Sequence, residues 1–303
     1  MLKSVLTATL IAIAIQIFTV GLLASKLPRE VLPPGIRAER SYTFAPKTLL
    51  HLKSTDGAVR VYPSETASVI QIEARIRTYV TTAAQLPDAE SYVESLVAIR
   101  ESDESLYIVT EPEDRPDFVD LHVHYRITLP LGMNVIVEVD NGNVRVGEGC
   151  NQVTIDGNNT DVDVQYPEGR SSVKTINGRI NVVGCKDDAF LETVNGSIIT
   201  SLFKGSIQAS TVTGSITTTL LDQKIHSCDL TSLNGSITLV LPELMSVNVH
   251  ASTEQGAIRS DPALLPARTV ERRREILGSL GNGETKISLH SMNGDVILQR
   301  SVL

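Results

Sequence analysis

The pattern of apolar and polar positions changes character along this 303-residue chain. Val5 to Ala24, "VLTATLIAIAIQIFTVGLLA", is almost unbroken apolar, with Gln16 its most polar member. From about Tyr42 the chain alternates instead. "SVIQIEARIRTYV", "SLYIVTEP" and "VDLHVHYRITLP" each put an apolar side chain at every second place, the period of a half-buried strand. One stretch breaks the alternation. "PDAESYVESLVAIR" sets Ala89, Val93, Leu96 and Val97 at helical spacing and predicts a short helix packed on the strands.

Beyond Val137 the alternation becomes a repeated line, apolar-x-[ST]-x-[ND]-G-x-[IV]. It is anchored on Gly142, Gly178, Gly196, Gly214, Gly235, Gly256 and Gly294, with an early copy at Gly57. Two places after each glycine stand Val59, Val144, Ile180, Ile198, Ile216, Ile237, Ile258 and Val296. Three places before it most copies carry Ser or Thr, and one place before it most carry Asn or Asp. A copy at Gly157 is degenerate, with Asn159 where Ile or Val belongs. A two-residue turn at the glycine and its predecessor puts the places −5, −3, +2 and +4 on one buried face. At that turn the glycine supplies positive φ.

From Gly178 onward the copies are 18, 18, 21, 21 and 38 residues apart, and "LFKGSIQAS" is a half-copy around Gly205. A period near 20 with fixed columns predicts a parallel β-solenoid, one rung per copy, each rung burying its neighbour's face. The alternative is an antiparallel β-meander or sandwich, since Asn-Gly is also a strong hairpin signal. A hairpin would oppose Thr at −3 to Ile at +2, and nothing would then keep the hydroxyl column. The columns favour the solenoid.

These patterns divide the chain into a signal-anchor or signal segment at 1–25, a linker at 26–41, a β-rich cap with a short helix at 42–136, and solenoid repeats at 137–303. An insertion interrupts the repeats at 260–283. Within it Asp261-Pro262 opens a turn, and Thr269 to Leu277 is expected to be helical, ending near Gly278. The first segment is long enough to span a bilayer, and neither Leu22/Ala24 nor Leu23/Ser25 forms a small-x-small cleavage pair. The expectation is one transmembrane helix with the folded part outside the cytoplasm; the alternative is secretion after cleavage.

Net charge is −8 and the sequence pI about 5.3, an acidic balance that argues against a nucleic-acid partner. Tryptophan is absent and aromatics are 4%, which weakens a lectin reading. Cys150, Cys185 and Cys228 lack metal or redox spacing and read as buried free thiols.

Several polar clusters are candidates for chemistry. Asp156, Asn158, Asp161 and Asp163 are close in sequence but lack the ligand order of a calcium loop. His122 and His124 share a strand face with Asp120 and Arg126, without a third ligand nearby. Arg272, Arg273 and Arg274 stand between Glu271 and Glu275 and read as a solvated surface. Asn195-Gly-Ser and Asn234-Gly-Ser match the glycosylation pattern but coincide with the turns. No catalytic, cofactor-binding or metal-binding residue is assigned.

The run of copies, led by "LHVHYRITLPLGMNVIVEVDNGNVRVGEG" and closed by "GNGETKISLHSMNGDVILQR", resembles the bacterial "putative adhesin" family of β-strand-repeat domains of unknown function, from about Tyr42 to Gln299. The resemblance implies a right-handed solenoid and an envelope location, and it carries over no site residue. The expected function is a membrane-anchored structural or interaction module of the cell envelope without catalytic activity, with an envelope protein or polysaccharide as partner. The alternatives are a solenoid enzyme acting on a polysaccharide and an envelope sensor.

Overall fold

The computed structural model describes residues 35–80, 82–110, 119–243, 245–261, 264, 270–272 and 274–301. The apolar segment Val5–Ala24 and most of its linker lie outside them. Among the described residues no helix is long and apolar enough to cross a membrane. The described residues are all-β with one short α-helix, α1 (Leu86–Ser95), whose Ala89 and Val93 are buried.

The repeats stack in parallel, each rung contributing one strand to each of two ladders. The first ladder holds the strands before the glycines. In spatial order these are β5 (Ser105–Thr110), the first half of β2 (Leu49–Ser64), the first half of β7 (Asn134–Val146), the first half of β8 (Val153–Gln165), β9 (Ser171–Asn177), β11 (Ala189–Asn195), and the second halves of β12 (Ile198–Thr213) and β13 (Ile216–Asn234). Next come β19 (Thr285–Ser291) and β15 (Val247–Thr253). The second ladder runs through β6 (Val119–Pro130), the second halves of β2, β7 and β8, β10 (Ile180–Cys185), the first halves of β12 and β13, β14 (Ile237–Leu241), β20 (Val296–Arg300) and β16 (Ile258–Ser260). The meander is therefore excluded. In the second ladder Val144, Val162, Ile180, Ile198, Ile216, Ile237, Val296 and Ile258 lie side by side in register, and all except half-buried Ile258 belong to one continuous core.

Rung order is not chain order. The last copy, at Gly294, lies between the copies at Gly235 and Gly256: Ile237 pairs with Val296, and Val296 with Ile258. The other end mirrors this, because β2 lies between β5–β6 on one side and β7 on the other. Each terminal rung is thus held inside the stack by a rung from further within the sequence.

Antiparallel strands cover the ladder ends at β6, β5 and β15, as an unpaired edge would otherwise recruit other chains. β3 (Ile70–Val80) pairs with β6, and β1 (Gly35–Phe44) with β3. β4 (Ala98–Glu101) covers β5. At the far end β18 (Glu275–Leu280) covers β15, and β17 (Val270–Arg272) covers β18. Of the helix expected over Thr269–Leu277, Thr269 and Arg273 lie outside the described residues, and Val270–Arg272 and residues 275–277 are strand instead. "EILGSL" alternates buried and exposed positions against β15, and that edge pairing overrides local helix propensity.

Two details of the repeat differ from the sequence reading. The glycines are required by close approach more than by φ. A Cβ on Gly196 would lie 1.9 Å from the carbonyl oxygen of Gly178, and one on Gly214 2.0 Å from that of Gly196. Gly214 has φ +150°, whereas Gly178, Gly196 and Gly235 have no φ in the left-handed region. The irregular copy is also centred elsewhere. Thr160, not Gly157, pairs with Gly142, and Gly157 pairs with Thr175 of the hydroxyl column. Glycine and hydroxyl have exchanged places: the Thr160 hydroxyl donates to the Val139 carbonyl at 2.9 Å, beside the space left by the missing side chain at 157. Centred on Thr160, the copies from Gly142 to Gly214 keep an 18-residue period.

Candidate functional site

The repeat places polar groups in ladders along one corner of the stack. Asn159 donates its amide to Asn141 at 2.7 Å, Asn177 to Asn159 at 2.7 Å and Asn195 to Asn177 at 2.9 Å. Thr213 ends this run, and Asn293 resumes it by donating to Asn234 at 2.8 Å. Asn195 and Asn234 of the two glycosylation patterns are thus ladder members. Beside the asparagines, one place earlier in the repeat, stand Ile176, Val194, Val212 and Leu233. Each is apolar and 37–46% exposed.

The acidic stretch does not converge. Asp163 receives Arg145 at 2.7 Å and Asn181 at 3.0 Å; Asp161 accepts from the Arg179 amide at 2.7 Å; Asn158 donates to Asp140 at 2.6 Å. Asp156 lies on the first ladder, in register with Glu138 and Lys174, away from the other two carboxylates. Among the described residues no three His, Cys, Asp or Glu side chains are grouped to hold a metal. Of the Arg272–Arg274 cluster, Arg273 lies outside the described residues, and Glu275 accepts from His250 at 3.3 Å. The three cysteines are free and buried, and burial raises each thiol's pKa, that of Cys150 to about 12.

His122 and His124 take part in something larger than a histidine pair. They face outward from β6, and β3, β1 and β2 add arginines to the same surface. Arg77 pairs in register with Arg37 and His122, Arg75 with Glu39 and His124, and Arg126 with Glu73 and Arg60. Arg145 follows Arg60 on β7. Arg75 bonds Glu39 at 3.0 Å, and Arg126 lies 4.8 Å from the centre of the Tyr62 ring. His122 is 3.6 Å from Asp120. The His124 Nδ1 accepts the Ala58 amide at 3.0 Å, which leaves Nε2 to carry the proton. Burial, then Arg77, His122 and Arg60, lower the pKa of His124.

This surface was missed in the sequence because whole-chain charge averages it away. "EARIRTY" sets Arg75 and Arg77 opposite to buried Ala74 and Ile76, but only pairing brings Arg37, Arg60, Arg126 and Arg145 beside them. The acidic balance therefore does coexist with a basic face.

Residues 88–299 match the family described as Toastrack DUF4097. The chain belongs to the Toastrack DUF4097 family. The matched segment of this Toastrack chain begins within α1 and ends on β20, the intercalated final rung. No curated protein matches the chain. Solved structures similar to it include an adhesin, so termed putatively, from Bacteroides fragilis, at 13% identity and a TM-score of 0.45, covering 89% of this chain and 100% of that one. A similarly named structure from Parabacteroides distasonis has 10% identity and a TM-score of 0.41, covering 88% and 97%. A cell adhesion protein from Clostridium sporogenes, named with the same qualifier, has 10% identity and a TM-score of 0.28, covering 88% and 100%.

Proposed function

We propose that this Toastrack chain is a membrane-anchored module of the cell envelope that serves structure and interaction without catalysis. The observation that carries the reading is the ladder corner. Ile176, Val194, Val212 and Leu233 form an exposed apolar line of a kind that marks interaction surfaces, set on a scaffold whose backbone bonds run from rung to rung. The rungs wind in a right-handed sense, as parallel strand crossovers almost always do. The segment Val5–Ala24 anchors the module, and the folded part lies outside the cytoplasm, where its partner is an envelope protein or polysaccharide.

The full chain is expected to sediment with membranes and to resist alkaline extraction. A photo-crosslinker at Val212 should join it to an envelope component, and Val194→Glu with Leu233→Glu should abolish the adduct. Recovery of a mature chain beginning just after Ala24 would show cleavage and remove the anchor. Hydrolysis of envelope polysaccharide by the purified protein, lost on changing Asp161 or His124, would overturn the non-catalytic reading.

A further inference from the structure

We infer that the arginine face built by β1, β3, β6 and β2 docks on anionic lipid headgroups at the surface of the membrane that holds the chain. Five arginines, Arg37, Arg60, Arg75, Arg77 and Arg126, point outward from these strands, against Glu39, Glu73 and Asp120; Arg145 borders them on β7 and is paired with Asp163. The face is basic within a chain of net charge −8. Arg37, Arg60 and Arg77 are exposed and form no ion pair among the described residues, so their guanidinium donors are available to phosphate oxygens. The His124 Nε2 proton adds a neutral donor on the same surface.

The position of the face selects the bilayer over a soluble anion. β1 is the outermost strand of the face, and Arg37 is its third residue. The ten residues between Ala24 and Gly35 reach at most about 35 Å when extended, and Pro28, Pro33 and Pro34 stiffen them. The arginines therefore stay near the surface that the apolar segment enters. This part of the argument rests on the anchor proposed above. Each arginine near an anionic leaflet is worth roughly fivefold in partition, and the acidic remainder of the chain is repelled from it. The two effects together turn this outward sheet face, at the β1 side of the stack, toward the bilayer.

The test uses the full chain in vesicles of phosphatidylcholine alone or mixed with phosphatidylglycerol. A fluorophore on Ser41→Cys, an exposed place on β1, reports proximity to a headgroup quencher; the native thiols are buried. Quenching should be several-fold stronger in the anionic vesicles. It should fall to the zwitterionic level in high salt and in the triple variant Arg37→Gln, Arg60→Gln, Arg77→Gln, with an unchanged thermal midpoint showing that the variant folds. Equal quenching in both lipids, or none lost in the variant, overturns the inference. A chain that stays out of both vesicles defeats the anchor instead. In that event arginine-dependent co-sedimentation with the anionic vesicles still supports the face, and its absence overturns it. A thermal midpoint raised by inorganic phosphate or by a DNA duplex, without response to anionic vesicles, also overturns it.

Discussion

The Thr211 hydroxyl donates to the carbonyl oxygen of Gly196, one rung earlier, at 3.0 Å. The same bond joins Thr193 to Gly178 at 3.2 Å, Ser232 to Gly214 at 3.1 Å and Ser291 to Gly235 at 2.9 Å. The hydroxyl and glycine columns are thus one device. Glycine lets the backbones meet, and the hydroxyl of the next rung satisfies the carbonyl exposed there. Thr211→Val keeps the shape but removes the donor and should cost about 1 kcal/mol in urea unfolding. Thr211→Ser should cost less than Thr211→Val. A larger loss from Thr211→Ser than from Thr211→Val would mean that the methyl, not the bond, holds the column.

Glycine conformation and glycine proximity make separable forecasts. Gly132 has φ +78° and nothing within 4 Å of an added Cβ, so Gly132→Ala should cost only about 1–2 kcal/mol of left-handed strain. Gly196 has no left-handed φ, but its added Cβ would meet the Gly178 carbonyl oxygen at 1.9 Å. Two paired backbones would have to separate, so Gly196→Ala should cost at least about 3 kcal/mol or prevent folding. Denaturation midpoints of the two variants compare the effects directly.

What the sequence made legible was the column, because a column is a period. Ile198 and Ile216 could be assigned to one buried line before any pairing was known. The exchange of Gly157 and Thr160 could not, since the line identifies a corner by its glycine and here a threonine occupies it. The arginine face was hidden for a related reason. Its members come from separate strands, and only the register of β1 with β3 and of β3 with β6 makes Arg37, Arg77 and His122 neighbours. The strand at Glu275–Leu280 was hidden by its place at an edge, where the partner decides the conformation.

The thiols supply a test of the core. Burial raises the pKa of Cys150 to about 12 and raises those of Cys185 and Cys228. At pH 8 a thiol-specific chromogenic reagent should leave the native protein unreacted and modify all three cysteines after unfolding. The linkage has a definite sign. Above the ordinary value of 9.0 the unfolded chain loses thiol protons that the folded chain keeps. Stability from this source is therefore full below pH 9.0 and lost as pH rises toward about 12.

His124 acts at the other end of the scale. Burial lowers its pKa first, and Arg77, His122 and Arg60 lower it further; Arg75 lies opposite it in register, and Asp120 sits by His122. The folded protein then binds this proton more weakly than the unfolded chain does. Stability is full above pH 6.5 and falls as pH drops below it toward the lower native value. The urea midpoint should decrease from pH 7 to pH 5, and it should decrease less in His124→Asn, which can still accept the Ala58 amide. An identical pH slope in the variant would place the titration elsewhere.

The intercalated last rung gives the sharpest test of the topology. Ile237, Ile258 and Val296 hold the same place in three copies, and any two would stack equally well by side chain. Chain order would put Ile258 on Ile237. The structure puts Val296 between them, so neighbouring Cα atoms lie about 4.8 Å apart and the outer pair about twice that. A disulfide needs Cα atoms within about 4.4–6.8 Å. In a background with the three native cysteines replaced, Ile237→Cys with Val296→Cys should oxidise in the folded protein, and Ile237→Cys with Ile258→Cys should not. The reverse result would restore chain order. The bridge that forms closes a loop of about 60 residues, so it should raise the denaturation midpoint by an amount equivalent to about 4 kcal/mol if it introduces no strain. It should also slow unfolding from this end. The Gly294 rung can leave only after the Gly256 rung and its cover, β18, have opened.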